Sequence, residues 1–222
     1  MKQIIYSFLL TVAIVNTSHL KAQTNYESKM LDAQQKLAAS KTEADYNNTS
    51  QIYNDIANSQ KTNWLPYYYA GLCKCLAAIT LKTKRADVLC NEADVFIYKS
   101  DSLSKNNAEI YVLKSLNFSA RLSVNPAARA MKYNKQIHQA NEMAMKLDNT
   151  NPRVHLQKAQ SVYYTPESFG GGPKKALPLY ELAFQKFKAH KVDNTIMPQW
   201  GKDITEKMIE ECKLKLTKNN NK

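Results

Sequence analysis

The stretch "SFGGGPKKAL", residues 168–177, runs three glycines into Pro173, Lys174 and Lys175 ahead of an apolar helical pattern. Glycine-rich backbone leading to a lysine at a helix start is how a phosphate cradle is built. The details exclude one. A P-loop places four residues between its glycines, follows its lysine with serine or threonine, and comes after a strand. Here Lys174 is followed by Lys175 and Ala176, and the preceding "AQSVYY" is helical in pattern. Pro173 also deletes one of the free N–H groups that let a helix start attract an anion. The same residues make a wide turn, with glycine supplying positive φ and Pro173 opening the next helix. Pro178 is expected to kink that helix or to mark a late start.

Cysteine and histidine chemistry fare no better. Cys73 and Cys75 are two apart, so on a helix they face different ways and form neither a metal pair nor a CxxC motif. In a hairpin of helices 64–82 and 85–104, Cys75 and Cys90 lie about equally far from the turn. A disulfide there, in an oxidising compartment, and two buried thiols are both compatible with the spacing. Cys212 is expected to be unpaired. His138, His155 and His190 each lack a neighbouring ligand or nucleophile at a useful spacing, and neither GxSxG nor HExxH occurs. No enzyme, metal or cofactor is therefore expected.

The chain begins with an address. "IIYSFLLTVAIV", residues 4–15, is uncharged, yet shorter than the roughly 20 residues that cross a bilayer. It fits the apolar core of a secretory signal peptide cleaved after Ala22, the other reading being an uncleaved N-terminal anchor. No cysteine precedes Cys73, so a lipid-modified N-terminus is not expected. The mature chain is then periplasmic or secreted, of Gram-negative type, with no transmembrane segment. Removal of residues 1–22 leaves 222 − 22 = 200, read as one domain over 23–217 with a disordered tail at 218–222. Loss of Lys2 and Lys21 lowers the net charge from +12 to +10. Such a balance raises nucleic acid as a partner for a cytoplasmic protein, but export argues against it. The basic residues are spread along the chain, with loose clusters in "LKTKR" and "KLKLTKNNNK". They read as solvated helix faces, with attraction to anionic lipid, lipopolysaccharide or acidic glycan as the second reading.

The elements that must position these residues are helices. Only five glycines occur in 222 residues, good helix formers abound, and apolar residues recur at three and four rather than alternating. Laying "PYYYAGLCKCLAA", "IYVLKSLNFSARL" and "VHLQKAQSVYYTP" over one another brings Gly71, Ser115 and Ala159 into register at a constant interval of 44 residues. Tyr67, Tyr111 and His155 align at that interval, as do Tyr68, Val112 and Leu156. After each comes a second helical pattern centred on alanine: Cys90, Ala93, Ile97; Ile137, Ala140, Ala144; Tyr180, Ala183, Phe187. Small residues let helices approach closely, and "KLDNTNPR" offers Asn151 as N-cap with Pro152 at the first helical position. "TNWLP" and "SKNNAE" play the same part earlier. Periodicity of this length marks stacked repeats.

With its small residue in each first helix, alanine in each second helix (Ala93, Ala140, Ala183) and "LDNTNP" loop, the chain over residues 64–190 resembles the tetratricopeptide repeat (TPR) family. The divergent TPR-like proteins exported by Gram-negative bacteria are the particular match. Its interval departs from the usual 34 or so residues. The resemblance implies an all-α, superhelical stack of antiparallel helix pairs, a TPR-like α-solenoid of about eight or nine helices. Residues 25–60 would form an atypical first pair, and "MPQWGKDITEKMIEECKLKL" a C-terminal capping helix. In this family the first helices line a concave groove for peptides or partner proteins. By carry-over Tyr68, Leu72, Glu109, Val112, Arg153, Leu156, Gln160 and Tyr163 would face it. Aromatic and arginine side chains suit such a site, although amphipathic tyrosines also pack between repeats with their hydroxyls at the surface. The expected function is an exported, non-enzymatic adaptor binding an envelope protein or peptide. The alternative is a glycan- or anionic-lipid-associated binding protein.

Overall fold

The computed structural model describes residues 23–81, 84–192 and 194–220; the expected leader, with its cleavage point after Ala22, lies outside the described residues. Among them the chain is all-α, with nine α-helices and no strand. These are α1 (23–39), α2 (Glu43–Ser59), α3 (Trp64–Thr80), α4 (Ala86–Leu103), α5 (Ala108–Val124), α6 (Pro126–Leu147), α7 (Pro152–Tyr164), α8 (Pro173–Ala189) and α9 (Lys202–Asn220). The expected all-α stack of helix pairs is what forms, and α1 with α2 supplies the first pair.

Local chemistry sets the starts. Thr42 caps α2 in a reciprocal box: its hydroxyl accepts from Asp45 N–H at 3.1 Å while the Asp45 carboxylate accepts from Thr42 N–H at 2.9 Å. Helices α3, α5 and α7 share one device. The amide oxygens of Asn63, Asn107 and Asn151 accept from the N–H two residues on, at 3.0, 3.0 and 2.9 Å. These asparagines are themselves 44 apart, so the caps keep the same interval as the small residues.

Each capped helix packs on its successor, α3 on α4, α5 on α6 and α7 on α8, and α3, α5 and α7 also pack in sequence on one another. An inner layer of capped helices thus stands against an outer one. Gly71 shows why small residues are needed: a Cβ there would meet Ile97 and Phe96 of α4 at 3.4 Å. Ser115 and Ala159 are fully buried, as are Cys90, Ala93, Ala183 and Tyr180 on the outer helices.

Connections are short except the one before α9. Residues 194–201 leave the helical pattern and lie along the inner layer. Ile196 is buried, and its carbonyl accepts from Gln34 Nε2 of α1 at 2.8 Å and from the Tyr69 hydroxyl of α3 at 3.1 Å. Trp200 packs against all three apolar clusters and donates from its indole N–H to the Tyr68 hydroxyl at 2.9 Å. Helix α9 then caps the stack by packing on α8, burying Met208 and Cys212. It continues to Asn220, into the stretch 218–222 where a tail was expected.

The glycine run is a turn. A Cβ on Gly171 would stand 2.2 Å from the Thr165 carbonyl oxygen, and Gly172, at φ 88°, donates its N–H to Val162 O at 3.0 Å and precedes α8. Helix α8 starts at Pro173 and runs through Pro178, so the late start does not occur. All four cysteines are free thiols, and all are buried.

Candidate binding site

Of the eight residues expected on an open groove, Tyr68, Leu72, Val112 and Leu156 are completely buried and Glu109, Arg153 and Tyr163 nearly so; Gln160 alone is partly exposed. The face they share is the inner layer, and residues 194–201 cover it. What the structure brings together there is a hydrogen-bonded network rather than an open surface. Arg153 reaches Glu109 through Nη2 at 2.5 Å and through Nε at 2.8 and 3.0 Å. Glu109 also accepts from Asn151 Nδ2 at 2.5 Å and from the Tyr68 hydroxyl at 3.3 Å. Tyr68 in turn accepts from Trp200. Burial alone would lower the Arg153 guanidinium, but Glu109 outweighs it and holds Arg153 above its usual value. Burial, with the Glu109 charge beside it, pushes the Tyr68 phenol well up. Every charge in this network has its partner, so it welds three helices and the covering segment together.

Tyr163 leads to a different surface at the far end of the stack. Its hydroxyl donates to Glu211 Oε1 of α9 at 2.5 Å and contacts Lys215 Nζ, which also pairs with Glu211 at 3.0 Å and lies 4.9 Å from the Tyr163 ring centroid. The Tyr163 ring meets Tyr164 edge-on at 5.0 Å and Tyr180 at 6.1 Å. On α9, Glu211, Leu214 and Lys215 follow the i, i+3, i+4 spacing of one helix face. Tyr164 is 72% exposed, Leu214 63%, and Phe169, on the single 3-10 turn Glu167–Phe169, 81%. Partial burial of its ring and the nearby Glu211 carboxylate raise the Tyr164 phenol above its usual value. Exposed apolar side chains thus stand on α7, on the turn that follows it and on α9, with Lys215 over the Tyr163 ring and within electrostatic reach of Tyr164. Exposed apolar side chains that form one patch mark contact surfaces.

The sequence reading placed Tyr163 on the concave groove, and did not single out Tyr164, Phe169 or Leu214 as site residues. The available signal was "VYYTPESF", aromatic residues on both sides of a turn too tight to bury them all. The histidines are engaged separately: His138 pairs with Glu142 at 3.1 Å on the surface of α6, and the His155 ring shares a 2.8 Å hydrogen bond with Asn149 O, with burial lowering its pKa. Among the described residues, no group of three or more His, Cys, Asp or Glu is placed to hold a metal ion, and no helix is long and apolar enough to cross a membrane.

No family model matches the chain, and no curated protein does. A solved structure, the HusA haemophore from Porphyromonas gingivalis, is 32% identical with a TM-score of 0.73, and the match covers 82% of this chain and 92% of that one. Identity at that level over nearly the whole of the relative goes beyond a shared helical architecture: the chain belongs to the family of the HusA haemophore.

Proposed function

We propose that this protein is an exported haem-binding carrier, a binding protein and not an enzyme, which takes the tetrapyrrole on the surface formed by Tyr164, Phe169 and Leu214. The observation that carries the reading is kinship with a haemophore across 92% of that protein. The surface supports it chemically. A haem is a flat apolar disc with two carboxylates on one edge, and it is matched by flat side chains that are already exposed with an ammonium group beside them. Tyr164 and Phe169 supply apolar faces, and Lys215 supplies the cation for a carboxylate. Tyr164 contributes stacking and hydrogen bonding. On this reading residues 1–22 are a leader removed on export, and the protein works outside the cytoplasm.

A second reading, a TPR-like adaptor that holds an envelope protein on its concave face, is supported by the stack of capped helix pairs. It requires residues 194–201 to give up their place on the inner layer.

The test is an absorbance titration of the processed protein with haemin. Saturable binding with a shifted Soret band is expected. The double variant Tyr164→Ala/Phe169→Ala should bind about 5- to 150-fold more weakly, since two aromatic contacts contribute about 0.5–1.5 kcal/mol each. Its melting temperature should be unchanged because both side chains are exposed. Absence of any spectral change refutes haem binding, and unchanged affinity in the double variant refutes the assigned surface.

A further inference from the structure

On the outer face of the stack, α2 and α4 both pack on α3, and between them lies a cleft of about 230 Å³ lined by Asn47, Ser50, Gln51, Lys74, Glu92, Val95 and Phe96. Its floor is unusual. Helix α3 is the most apolar of the helices α2–α9, and Lys74 is its sole charged residue. The Lys74 side chain is only 13% exposed; it donates to Asn47 Oδ1 at 2.6 Å and pairs with Glu92 Oε2 at 2.6 Å. Lys74 is largely withdrawn from water while the Glu92 side chain, 38% exposed, stands at the rim, so the pair contributes little to stability. The cleft is thus lined with one charge of each sign.

We propose that this cleft binds a single neutral sugar. Lys74 and Glu92 cancel, so an anionic ligand meets the carboxylate and a cationic one meets the ammonium, each at a cost. A hydroxyl both donates and accepts, and suits the remaining capacity: Glu92 Oε1 as acceptor, Asn47 Nδ2 and the third Lys74 proton as donors. Gln51 adds its carbonyl oxygen, its amide N–H being turned to Asp55 Oδ1 at 2.8 Å. Val95 and Phe96 form an apolar wall for the C–H face of a pyranose. Val95 and Tyr98, three residues apart on one face of α4, are 67% and 75% exposed. The volume lies below the roughly 300 Å³ at which pockets for drug-sized ligands begin, so a monosaccharide fits and a tetrapyrrole does not. The site is thus independent of the haem surface.

The experiment is an amide chemical-shift titration of the processed protein with glucose, galactose, mannose and N-acetylglucosamine, with inorganic phosphate as the anionic comparison. Saturable shifts confined to residues around Asn47, Gln51, Lys74, Glu92 and Val95 are expected for at least one sugar, with a Kd in the millimolar range. Lys74→Met, which preserves length and removes the ammonium, should weaken that binding at least tenfold and leave both the melting temperature and the haemin titration unaltered. Glu92→Gln, on a more exposed residue, should weaken it while keeping the fold, and so tests the same site should Lys74→Met fail to fold. Shifts with phosphate alone, shifts with no ligand, or full sugar affinity in both variants overturn the proposal.

Discussion

Replacing Arg153 with methionine tests the reading of the inner layer as a structural weld. Methionine fills much of the same volume but leaves the Glu109 carboxylate with only two neutral donors, Asn151 at 2.5 Å and Tyr68 at 3.3 Å, in place of three contacts from a guanidinium. Removing one partner of a buried ion pair costs about 3–5 kcal/mol. The two surviving hydrogen bonds, worth about 0.5–1.5 kcal/mol each, hold the loss to the lower end, about 3 kcal/mol. For a chain of this size that is a fall of about 6–12 °C in Tm. Urea unfolding followed by tryptophan fluorescence is the suitable assay, since Trp200 is hydrogen-bonded to Tyr68 within the same network. Glu109→Gln and the double variant complete a cycle, in which the double loses clearly less than the sum because no orphaned charge remains. A loss below about 1 kcal/mol for Arg153→Met, or strict additivity, would show that the pair is solvated in the native protein and that the inner face is open as the sequence suggested.

Three further outcomes follow from burial and backbone geometry. Burial raises Tyr26 to about 12 and pushes Tyr53, Tyr68, Tyr69 and Tyr180 higher still. Above pH 10 the unfolded chain releases these protons while the folded chain keeps them, so stability is complete below about pH 10 and falls as pH rises toward 12 and beyond; chemical denaturation in that range should show the decline. The thiols are buried and shifted upward, Cys90 to about 11. A thiol reagent should therefore leave the native protein untouched and titrate four groups only after unfolding; two groups would mean that Cys75 and Cys90 are joined. Gly201, at φ 112°, has room for no side chain, since a Cβ would stand 2.7 Å from the Phe187 ring and 3.0 Å from Leu156. Gly201→Ala should lower stability by about 1–3 kcal/mol in the same urea assay, and a neutral result would show that residues 194–201 are loosely held.

The helix pairs were legible because their determinants are local and repeated. Gly71, Ser115 and Ala159 mark where the helices approach, and the asparagine caps recur at the same interval, readable without any tertiary knowledge. The inner face was legible as a face and not in its use. Glu109 and Arg153 are themselves 44 apart, one repeat from each other at the same position, so opposite charges on adjacent first helices had to meet. That inference was open to sequence reasoning, which assigned both to ligand contact. The covering segment was not legible. "NTIMPQWG" has neither helical nor strand periodicity, and its place depends on hydrogen bonds to residues as far back as Gln34. The aromatic end surface depended on which tyrosine of the pair turns inward: Tyr163 is pinned by Glu211 on α9, nearly fifty positions later, and its neighbour is left outside.

A linear stack of repeats ordinarily touches only its neighbours, so it can fold from any point and fray from either end. Here the carbonyl of Ile196 accepts a hydrogen bond from Gln34, 162 residues earlier. That contact turns an open ladder into a closed loop, and it sets an order of events. The first helices cannot complete their polar contacts until almost the whole chain has been made, so a nascent or partly exported chain keeps its inner layer wet and unlocked. If the chain is exported as proposed above and crosses a membrane unfolded, the last segment through is the one that shuts the structure behind it. Loss of residues beyond 193 would then leave a set of helices without the fastening that makes them one cooperative unit.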